Sequence, residues 1–222
     1  NLSYFAPKVK SKILLVTSSV AGEGKTFCAV NIATTLAKAK KKVILVDLDL
    51  HKPKQANAFN LHNDVGITSY VVGKANLNQI IKDTAIENLQ IILTGPRTPN
   101  ASELIVDPMM DKLLEELKNL YEYIIIDTPP VGIVSDAMML MNLADINIFV
   151  LRENYSKKEY IKTINTYYTA GKVKNLCVLL NDAGNHQRYG YGYGYSYGYH
   201  GYGYYDEDSK PKGVFSKLFK RK

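Results

Sequence analysis

Short runs of consecutive apolar residues alternate along the chain with longer segments in which apolar residues recur every three or four positions. The short runs predict buried strands at residues 12–17, 42–46, 89–93, 123–126, 146–151 and 176–180. The longer segments predict helices at residues 25–39, 107–121, 135–143 and 156–170. Continuously apolar strands that alternate with helices predict a doubly wound, mostly parallel α/β sheet with helices on both faces.

This pattern ends near Gly184, where the composition changes. The sequence becomes rich in Gly and Tyr, with nine tyrosines between Tyr189 and Tyr205, and it closes with a basic segment. We therefore predict a globular domain at residues 1–183 and a flexible tail at residues 184–222. By composition alone the tail is equally typical of a disordered segment that stacks on nucleic-acid bases.

Composition and charge narrow the class of protein. The 222 residues are 46% hydrophobic and 22% charged, as in globular proteins, and no run approaches the about 18 apolar residues of a membrane span. The two cysteines fit a reducing compartment, and no export signal is visible. The net charge of +7 includes a basic end that surrounds Val214, Phe215, Leu218 and Phe219. Such an end is either a contact for an anionic membrane surface or a solubilising tail.

A glycine-containing loop connects the first predicted strand to the first predicted helix. It reads S-V-A-G-E-G-K-T, which is the phosphate-binding pattern G-x-x-x-x-G-K-[ST] with Ser19 in place of the first glycine. Backbone N–H groups of this loop are expected to surround phosphates at the positive end of the helix. Lys25 would neutralise the β- and γ-phosphates, and the Thr26 hydroxyl would bind Mg²⁺. In this context the loop predicts a P-loop NTPase-type sheet.

The predicted nucleotide site extends slightly beyond the loop. It comprises Ala21, Gly22, Glu23, Gly24, Lys25, Thr26, Phe27 and Asn181. The N-K-x-D sequence typical of guanine recognition is absent, since Asn181 and Asp182 are followed by Ala and Gly. ATP is therefore favoured over GTP as the nucleotide.

Three aspartates stand at the ends of two other predicted strands. Asp47 and Asp49 follow V-I-L-V, and Asp127 follows Y-I-I-I. Because the carboxyl ends of parallel strands share one edge of a sheet, these carboxylates are expected beside the phosphate loop. They would repel a triphosphate unless a cation lay between them, and Mg²⁺ suits their oxygen ligands. The next position in this series is His51, to which we assign no catalytic role.

Together these motifs resemble the bacterial tyrosine autokinases of polysaccharide export. The similar segments are S-V-A-G-E-G-K-T, V-I-L-V-D-L-D-L-H-K-P, G-P-R-T-P-N-A-S-E-L-I, I-I-I-D-T-P-P and the C-terminal tyrosine cluster. The resemblance implies a Mg-ATP-dependent protein tyrosine kinase, unrelated in fold to eukaryotic kinases. The catalytic residues that it implies are Lys25, Asp47, Asp49 and Asp127, with Asp47 helping to deprotonate the incoming tyrosine. The Mg²⁺ ligands that it implies are Thr26, Asp49 and Asp127.

The resemblance also implies how the tail is used. Protomers assemble into a ring in which the tail of one enters the site of its neighbour, and phosphorylation breaks the ring to regulate capsule or exopolysaccharide synthesis and export. The acceptors implied are Tyr189, Tyr191, Tyr193, Tyr195, Tyr197, Tyr199, Tyr202, Tyr204 and Tyr205. Other partners implied are a membrane-spanning activator, fused or separate, and a counteracting tyrosine phosphatase, without nucleic acid. The location implied is the cytoplasm, at the inner face of the bacterial inner membrane.

Two departures and two alternatives accompany this expectation. The family commonly has Arg at the position of His51, so we do not expect this chain to have the contact by which that Arg would anchor the loop. The family's upstream E-x-x-R-x-x-R helix is not in this sequence, so we expect weak ring formation. The main alternative is a ParA/MinD-type switch ATPase, which binds DNA or membrane without phosphorylating protein. Its loop carries an additional Lys where this chain has Val20 and Ala21, which argues against it. A tail-driven interaction protein with vestigial ATP binding is the third hypothesis.

Overall fold

A seven-stranded sheet forms the centre of the described part of the chain. A computed structural model describes residues 11–98, 101–131, 140–171, 173 and 175–184. The strands are β1 (Lys12–Ser18), β2 (Val43–Asp47), β3 (Ile81–Asp83), β4 (Leu89–Ile92), β5 (Tyr123–Asp127), β6 (Ile146–Arg152) and β7 (Leu176–Asn181). Their order is β3-β4-β2-β5-β1-β6-β7, and all neighbours are parallel except β3, which is antiparallel to β4. The predicted mostly parallel α/β fold is confirmed.

Helices cover both faces of this sheet. In the described residues they are α1 (Lys25–Lys38), α2 (Gln55–Phe59), α3 (Ile67–Val71), α4 (Leu77–Ile80), α5 (Ala101–Ile105), α6 (Pro108–Leu120) and α7 (Lys158–Thr169). One face is covered by α1, whose Ala29 and Ala33 are fully buried and let the helix lie close to the strands. The other face is covered by α6 and α7 through Leu113, Leu117 and Ile164. Apolar side chains on both faces explain why the strand sequences are continuously apolar.

The strands and long helices begin and end within two residues of the bounds predicted from the sequence. The elements that the sequence did not predict are short: α2 to α5 and β3 each have five residues or fewer. So few residues show no hydrophobic period. Residues 135–139 of the helix predicted at residues 135–143 lie outside the described residues, whereas Leu140 and Met141 are helical. The division of the chain near Gly184 stays a prediction. None of the described helices is both long and apolar enough to cross a membrane.

The register of the sheet brings two acidic side chains to the same level. β5 lies between β1 and β2, and it pairs Asp127 with Asp47 on one side and with Val16 on the other. The chain must leave the sheet after Asp127, because Pro129 and Pro130 cannot donate hydrogen bonds to a neighbouring strand. The loops after these three strands therefore meet at one edge, which is where ligands bind in such sheets.

Candidate active site

A fully buried carboxylate holds the phosphate loop, residues 19–24, in shape. One oxygen of Glu23 accepts a hydrogen bond from the backbone N–H of Val20 at 2.8 Å, and the other accepts one from the Ser156 hydroxyl. Ser156 in turn accepts a bond from the backbone N–H of Arg152 at 2.7 Å. The Glu23 side chain therefore joins the loop to the segment between β6 and α7. The nucleotide contact predicted for Glu23 then concerns its backbone N–H group.

Three side chains at the ends of β6 and β7 bind the carbonyl groups of this loop. The bonds run from Tyr155 Oη to Ala21 O (2.9 Å), from the Arg152 guanidinium to Gly22 O (3.3 Å) and from Asn181 Nδ2 to Glu23 O (3.0 Å). In a trans peptide the N–H group points away from the preceding carbonyl. These bonds therefore direct the N–H groups that follow toward the opposite side of the loop, where such loops bind phosphate.

Arg152 is itself held by two neighbours. Its guanidinium pairs with Asp182 at 3.1 Å and lies over the Tyr155 ring, 5.5 Å from the ring centre. Arg152, Tyr155 and Ser156 were missed by the sequence analysis, because no phosphate-loop motif includes residues so far along the chain. Their sole sequence signal is their place directly after a strand of the parallel sheet, at its carboxyl edge.

Two glycines allow these close contacts. Gly22 and Gly24 both have φ of +95°, in the left-handed region that favours glycine. A Cβ atom on Gly22 would lie 2.6 Å from Tyr155 Oη, and one on Gly24 would collide with the Asn181 amide. The loop can therefore approach its neighbours only without side chains at these two positions.

Lys25, Asp49 and Asp127 form a buried ion-pair cluster beside the loop. Lys25 Nζ lies 2.7 Å from Asp49 Oδ2, 3.5 Å from Asp127 Oδ1 and 3.3 Å from the Thr26 hydroxyl. Burial disfavours the charge on Lys25, but the negative charges of Asp127 and Asp49 outweigh this effect and raise its pKa. The amine is therefore positively charged at neutral pH. The structure thus brings together four residues that the sequence predicted for one site.

Asp47 lies next to this cluster, and its carboxylate has fewer hydrogen-bond partners. Its Oδ1 accepts the backbone N–H of Asp49 at 3.2 Å, whereas its Oδ2 is buried and has no hydrogen-bond partner among the described residues. Burial above all, followed by the charge of Asp127, raises the pKa of Asp47 well above its ordinary value. The pKa of Asp127 is also raised, chiefly by burial. This edge of the sheet therefore has a high affinity for protons and cations.

The structure adds Gln55, a residue that the sequence analysis missed. Gln55 begins α2, is completely buried and donates a hydrogen bond from Nε2 to Asp127 Oδ2 at 3.0 Å. Its Oε1 is buried without a hydrogen-bond partner among the described residues. An uncharged amide in a five-residue helix carries no motif. Its position shortly after Asp49 is the one signal that could have pointed to it.

The donors and acceptors of the site fit a nucleotide and a divalent cation. The loop offers N–H groups and the Lys25 ammonium to phosphates, and Thr26, Asp49 and Asp127 offer the oxygen ligands that Mg²⁺ prefers. Among the described residues no group of three or more His, Cys, Asp or Glu could hold a metal by itself. This is compatible with Mg²⁺, which proteins usually bind through one or two carboxylates together with waters and substrate phosphates.

The remaining predicted site residues lie farther from this centre or outside the described chain. Phe27 is in the first turn of α1 and packs partly against the core on that face of the sheet. Its contact with the nucleotide stays a prediction. His51 is exposed in the segment between β2 and α2. The predicted acceptors, from Tyr189 to Tyr205, are not among the described residues.

Comparisons with known proteins identify the family. A family profile described as an AAA domain matches residues 11–176. Tyrosine-protein kinase YwqD of Bacillus subtilis is 34% identical over 192 residues, which cover 86% of this chain and 81% of the relative. The chain belongs to the bacterial tyrosine kinases. Tyrosine-protein kinase CpsD of Streptococcus agalactiae supports this assignment. It is 34% identical to this chain, over 78% of this chain and 75% of CpsD.

Solved structures agree with this family and with the predicted fold. The kinase domain of the Escherichia coli tyrosine kinase ETK matches this chain with a TM-score of 0.77 and 30% identity. The match covers 88% of this chain and 77% of the ETK domain. The chimerical protein CapA2B2 matches this chain with a TM-score of 0.74 and 34% identity, over 80% of this chain and 78% of CapA2B2. The septum site-determining protein MinD of Pyrococcus horikoshii, at 23% identity and a TM-score of 0.62, shares the fold. The P-loop NTPase-type fold and the kinase class predicted from the sequence are confirmed.

Proposed function

We propose that this kinase transfers the γ-phosphate of ATP to tyrosines in the C-terminal tail of neighbouring protomers. The observation that carries the proposal is the convergence of Lys25, Asp49 and Asp127 within 3.5 Å, directly after the phosphate loop. The tail supports it, because its nine tyrosines between Tyr189 and Tyr205 give the enzyme an acceptor within its own sequence.

In this site positioning and charge neutralisation would supply most of the catalysis. Phosphoryl transfer passes through a loose transition state whose charge is spread over the phosphate oxygens. Lys25 and the loop N–H groups would face that charge in fixed positions. A bound Mg²⁺, held by Thr26, Asp49 and Asp127, would supply further positive charge at the same oxygens.

Asp47 is the residue that we assign to the acceptor proton. A tyrosine hydroxyl titrates near pH 10, so the acceptor is protonated at neutral pH. The raised pKa of Asp47 makes its carboxylate a stronger base than an ordinary aspartate. Its Oδ2, which has no partner in the described part of the chain, is able to accept a hydrogen bond. Because the loose transition state requires little deprotonation before attack, a base of this strength suffices.

We also propose the setting of this reaction. The protomers form a ring, and a membrane-spanning activator, fused or separate, and a tyrosine phosphatase control its phosphorylation. The enzyme acts in the cytoplasm at the inner face of the inner membrane, where it regulates capsule or exopolysaccharide synthesis and export. The family motifs support these assignments, and the basic end supports a contact with anionic lipid.

The proposal is tested with labelled ATP and Mg²⁺ on three samples. These are the wild type, Lys25→Met, and a mixture of Lys25→Met with an otherwise unchanged kinase that lacks residues 189–205. We expect phosphotyrosine in the wild type and on the Lys25→Met tail in the mixture, but none in Lys25→Met alone, because Lys25 faces the transferred phosphate. Mass spectrometry locates the label on individual tyrosines.

Two results would contradict the proposal. If the mixture stays unlabelled while the wild type is labelled, transfer occurs within one protomer. If the wild type hydrolyses ATP in response to DNA or lipid and forms no phosphotyrosine, a switch ATPase of the ParA/MinD type explains the data instead. Circular dichroism of Lys25→Met controls for loss of the fold.

A further inference from the structure

A buried glutamine lies at the acidic edge of the site and has no part in the mechanism above. We propose that Gln55 is a positioning residue for Mg²⁺: it orients Asp127 through its amide N–H and offers its amide oxygen to a water molecule of the bound cation. This inference rests on the use of Mg²⁺ in the proposed function. It goes beyond it by assigning a role to a residue outside the phosphate-loop and aspartate motifs.

The burial of Gln55 is unusual for its residue type. Glutamine side chains are mostly exposed in proteins, and burying an amide without new hydrogen bonds costs free energy. Gln55 is nonetheless completely inaccessible, although it begins a five-residue helix in which Asn57 is exposed. A polar side chain that is buried in this way needs an explanation in terms of its hydrogen-bond partners.

The first partner of Gln55 determines how its amide is oriented. Asp127 Oδ2 lies 3.0 Å from Nε2, and a carboxylate accepts hydrogen bonds, so the nitrogen and not the oxygen of the amide must face it. The other oxygen of Asp127 lies 3.5 Å from Lys25 Nζ. Asp127 is therefore held on both oxygens, and Gln55 Oε1 is directed away from it.

The second half of the amide has no partner in the described residues. Gln55 Oε1 and Asp47 Oδ2 are both buried acceptors without a donor among the described residues, and Asp47 is paired with Asp127 in the sheet. When Asp47 is ionised, these two acceptors cannot satisfy each other, and a ligand that brings donors would satisfy both. Mg²⁺ usually keeps several waters when it binds to proteins, and the protons of such waters are strong donors. A hydrated cation on Asp127 would satisfy Gln55.

The test compares ADP binding at a series of Mg²⁺ concentrations and in EDTA, measured by calorimetry. Gln55→Met keeps the size of the side chain and removes both polar groups. We expect the Mg²⁺ concentration that gives half of the metal-dependent gain in ADP affinity to rise about tenfold, as for other groups that orient metal ligands. ADP affinity in EDTA should stay within about twofold of the wild type. Asn57→Ala, an exposed position on the same helix, is the matched control and should shift neither quantity.

Each outcome decides between the inference and the proposed function. An unchanged Mg²⁺ requirement in Gln55→Met, with a normal response in the wild type, overturns the role of Gln55 alone. Equal losses of ADP affinity with and without Mg²⁺ also overturn it, because they indicate a general structural role. A wild type whose ADP affinity ignores Mg²⁺ overturns the cation in the proposed function. If Gln55→Met does not fold, Gln55→Asn is measured instead. Its shorter amide should also raise the Mg²⁺ concentration that gives half of the metal-dependent gain in ADP affinity.

Discussion

The phosphate loop and the acidic edge lie side by side, but their polar groups are satisfied to different degrees. In the loop both oxygens of Glu23 and the carbonyls of Ala21 and Gly22 have hydrogen-bond partners. At the acidic edge one oxygen of Asp47 and the amide oxygen of Gln55 have none among the described residues. These groups of the loop are therefore satisfied by the protein itself, whereas the acidic edge has acceptors that a ligand can satisfy.

This difference shows how stability and function are divided within one site. Buried polar groups with partners stabilise the folded loop, and removal of one partner leaves the other unsatisfied. Buried acids without partners lower the stability of the free protein, and a ligand that satisfies them recovers this free energy on binding. Substitutions in the loop should therefore destabilise the protein, and neutralisation of the acidic edge should stabilise it at the expense of activity.

The largest effect on stability is expected at Glu23. Glu23→Ala leaves the half-buried Val20 N–H and Ser156 hydroxyl without their acceptor, which should lower the free energy of unfolding by about 3 kcal/mol. Urea denaturation measures this loss. Glu23→Gln is the matched control: its amide oxygen can still accept from Val20, and Ser156 can accept from the amide nitrogen, so the loss should be below about 1 kcal/mol. Equal free energies of unfolding for the wild type and Glu23→Ala would contradict the claim that hydrogen bonds within the loop stabilise the protein.

A smaller effect of opposite sign is expected at Asp47. Asp47→Asn keeps the shape and the acceptor for Asp49 but removes a buried charge, so it should raise the free energy of unfolding by about 1 kcal/mol near neutral pH. Because Asp47 is the proposed proton acceptor, tyrosine phosphorylation should fall about 100-fold. A variant that is both less stable and fully active would contradict the contrast between the two regions.

The gain from Asp47→Asn should depend on pH in a direction that the raised pKa determines. Above pH of about 4 an unfolded aspartate loses its proton, whereas folded Asp47 keeps it until its raised pKa is reached. The folded state then binds more protons than the unfolded state, so the stability of the wild type decreases as pH rises through this window. The Asn variant lacks this contribution, and its advantage in urea denaturation should grow with pH. A constant difference from pH 4 to pH 8 would argue against the raised pKa.

The smallest effect is expected at Tyr155. Its side chain is 51% exposed, so Tyr155→Phe should lose only about 0.5 kcal/mol of stability through the missing bond to Ala21. Thermal unfolding should show a decrease of about 2 °C. Tyr168→Phe, at an exposed position on α7, serves as the control and should leave the melting temperature unchanged. A decrease above about 6 °C in Tyr155→Phe would show that this contact is a main support of the loop.

The sequence predicts the elements and residues whose signal is local. The strands are continuous apolar runs, and the Lys and Asp residues of the site are chemistry-bearing groups directly after such runs. The sequence does not predict Gln55, because its side chain is uncharged and contacts Asp127, 72 positions away, only in the folded chain. The sequence does not predict Tyr155 either, because its partner Ala21 is 134 positions away. Glu23 is predicted as a nucleotide contact, but burial of its carboxylate depends on Ser156 and is not visible in the sequence.

The pairing of Asp47 with Asp127 has a consequence for how such a site can vary. Backbone hydrogen bonds between β2 and β5 hold the two carboxylates level, so their spacing does not depend on the segments that follow. Those segments can change in length and sequence while the acids keep their places, and His51 stands in one of them. Exchange of residues 50–54, which follow Asp49, with those of a relative should therefore leave Asp47 and Asp127 at the same spacing.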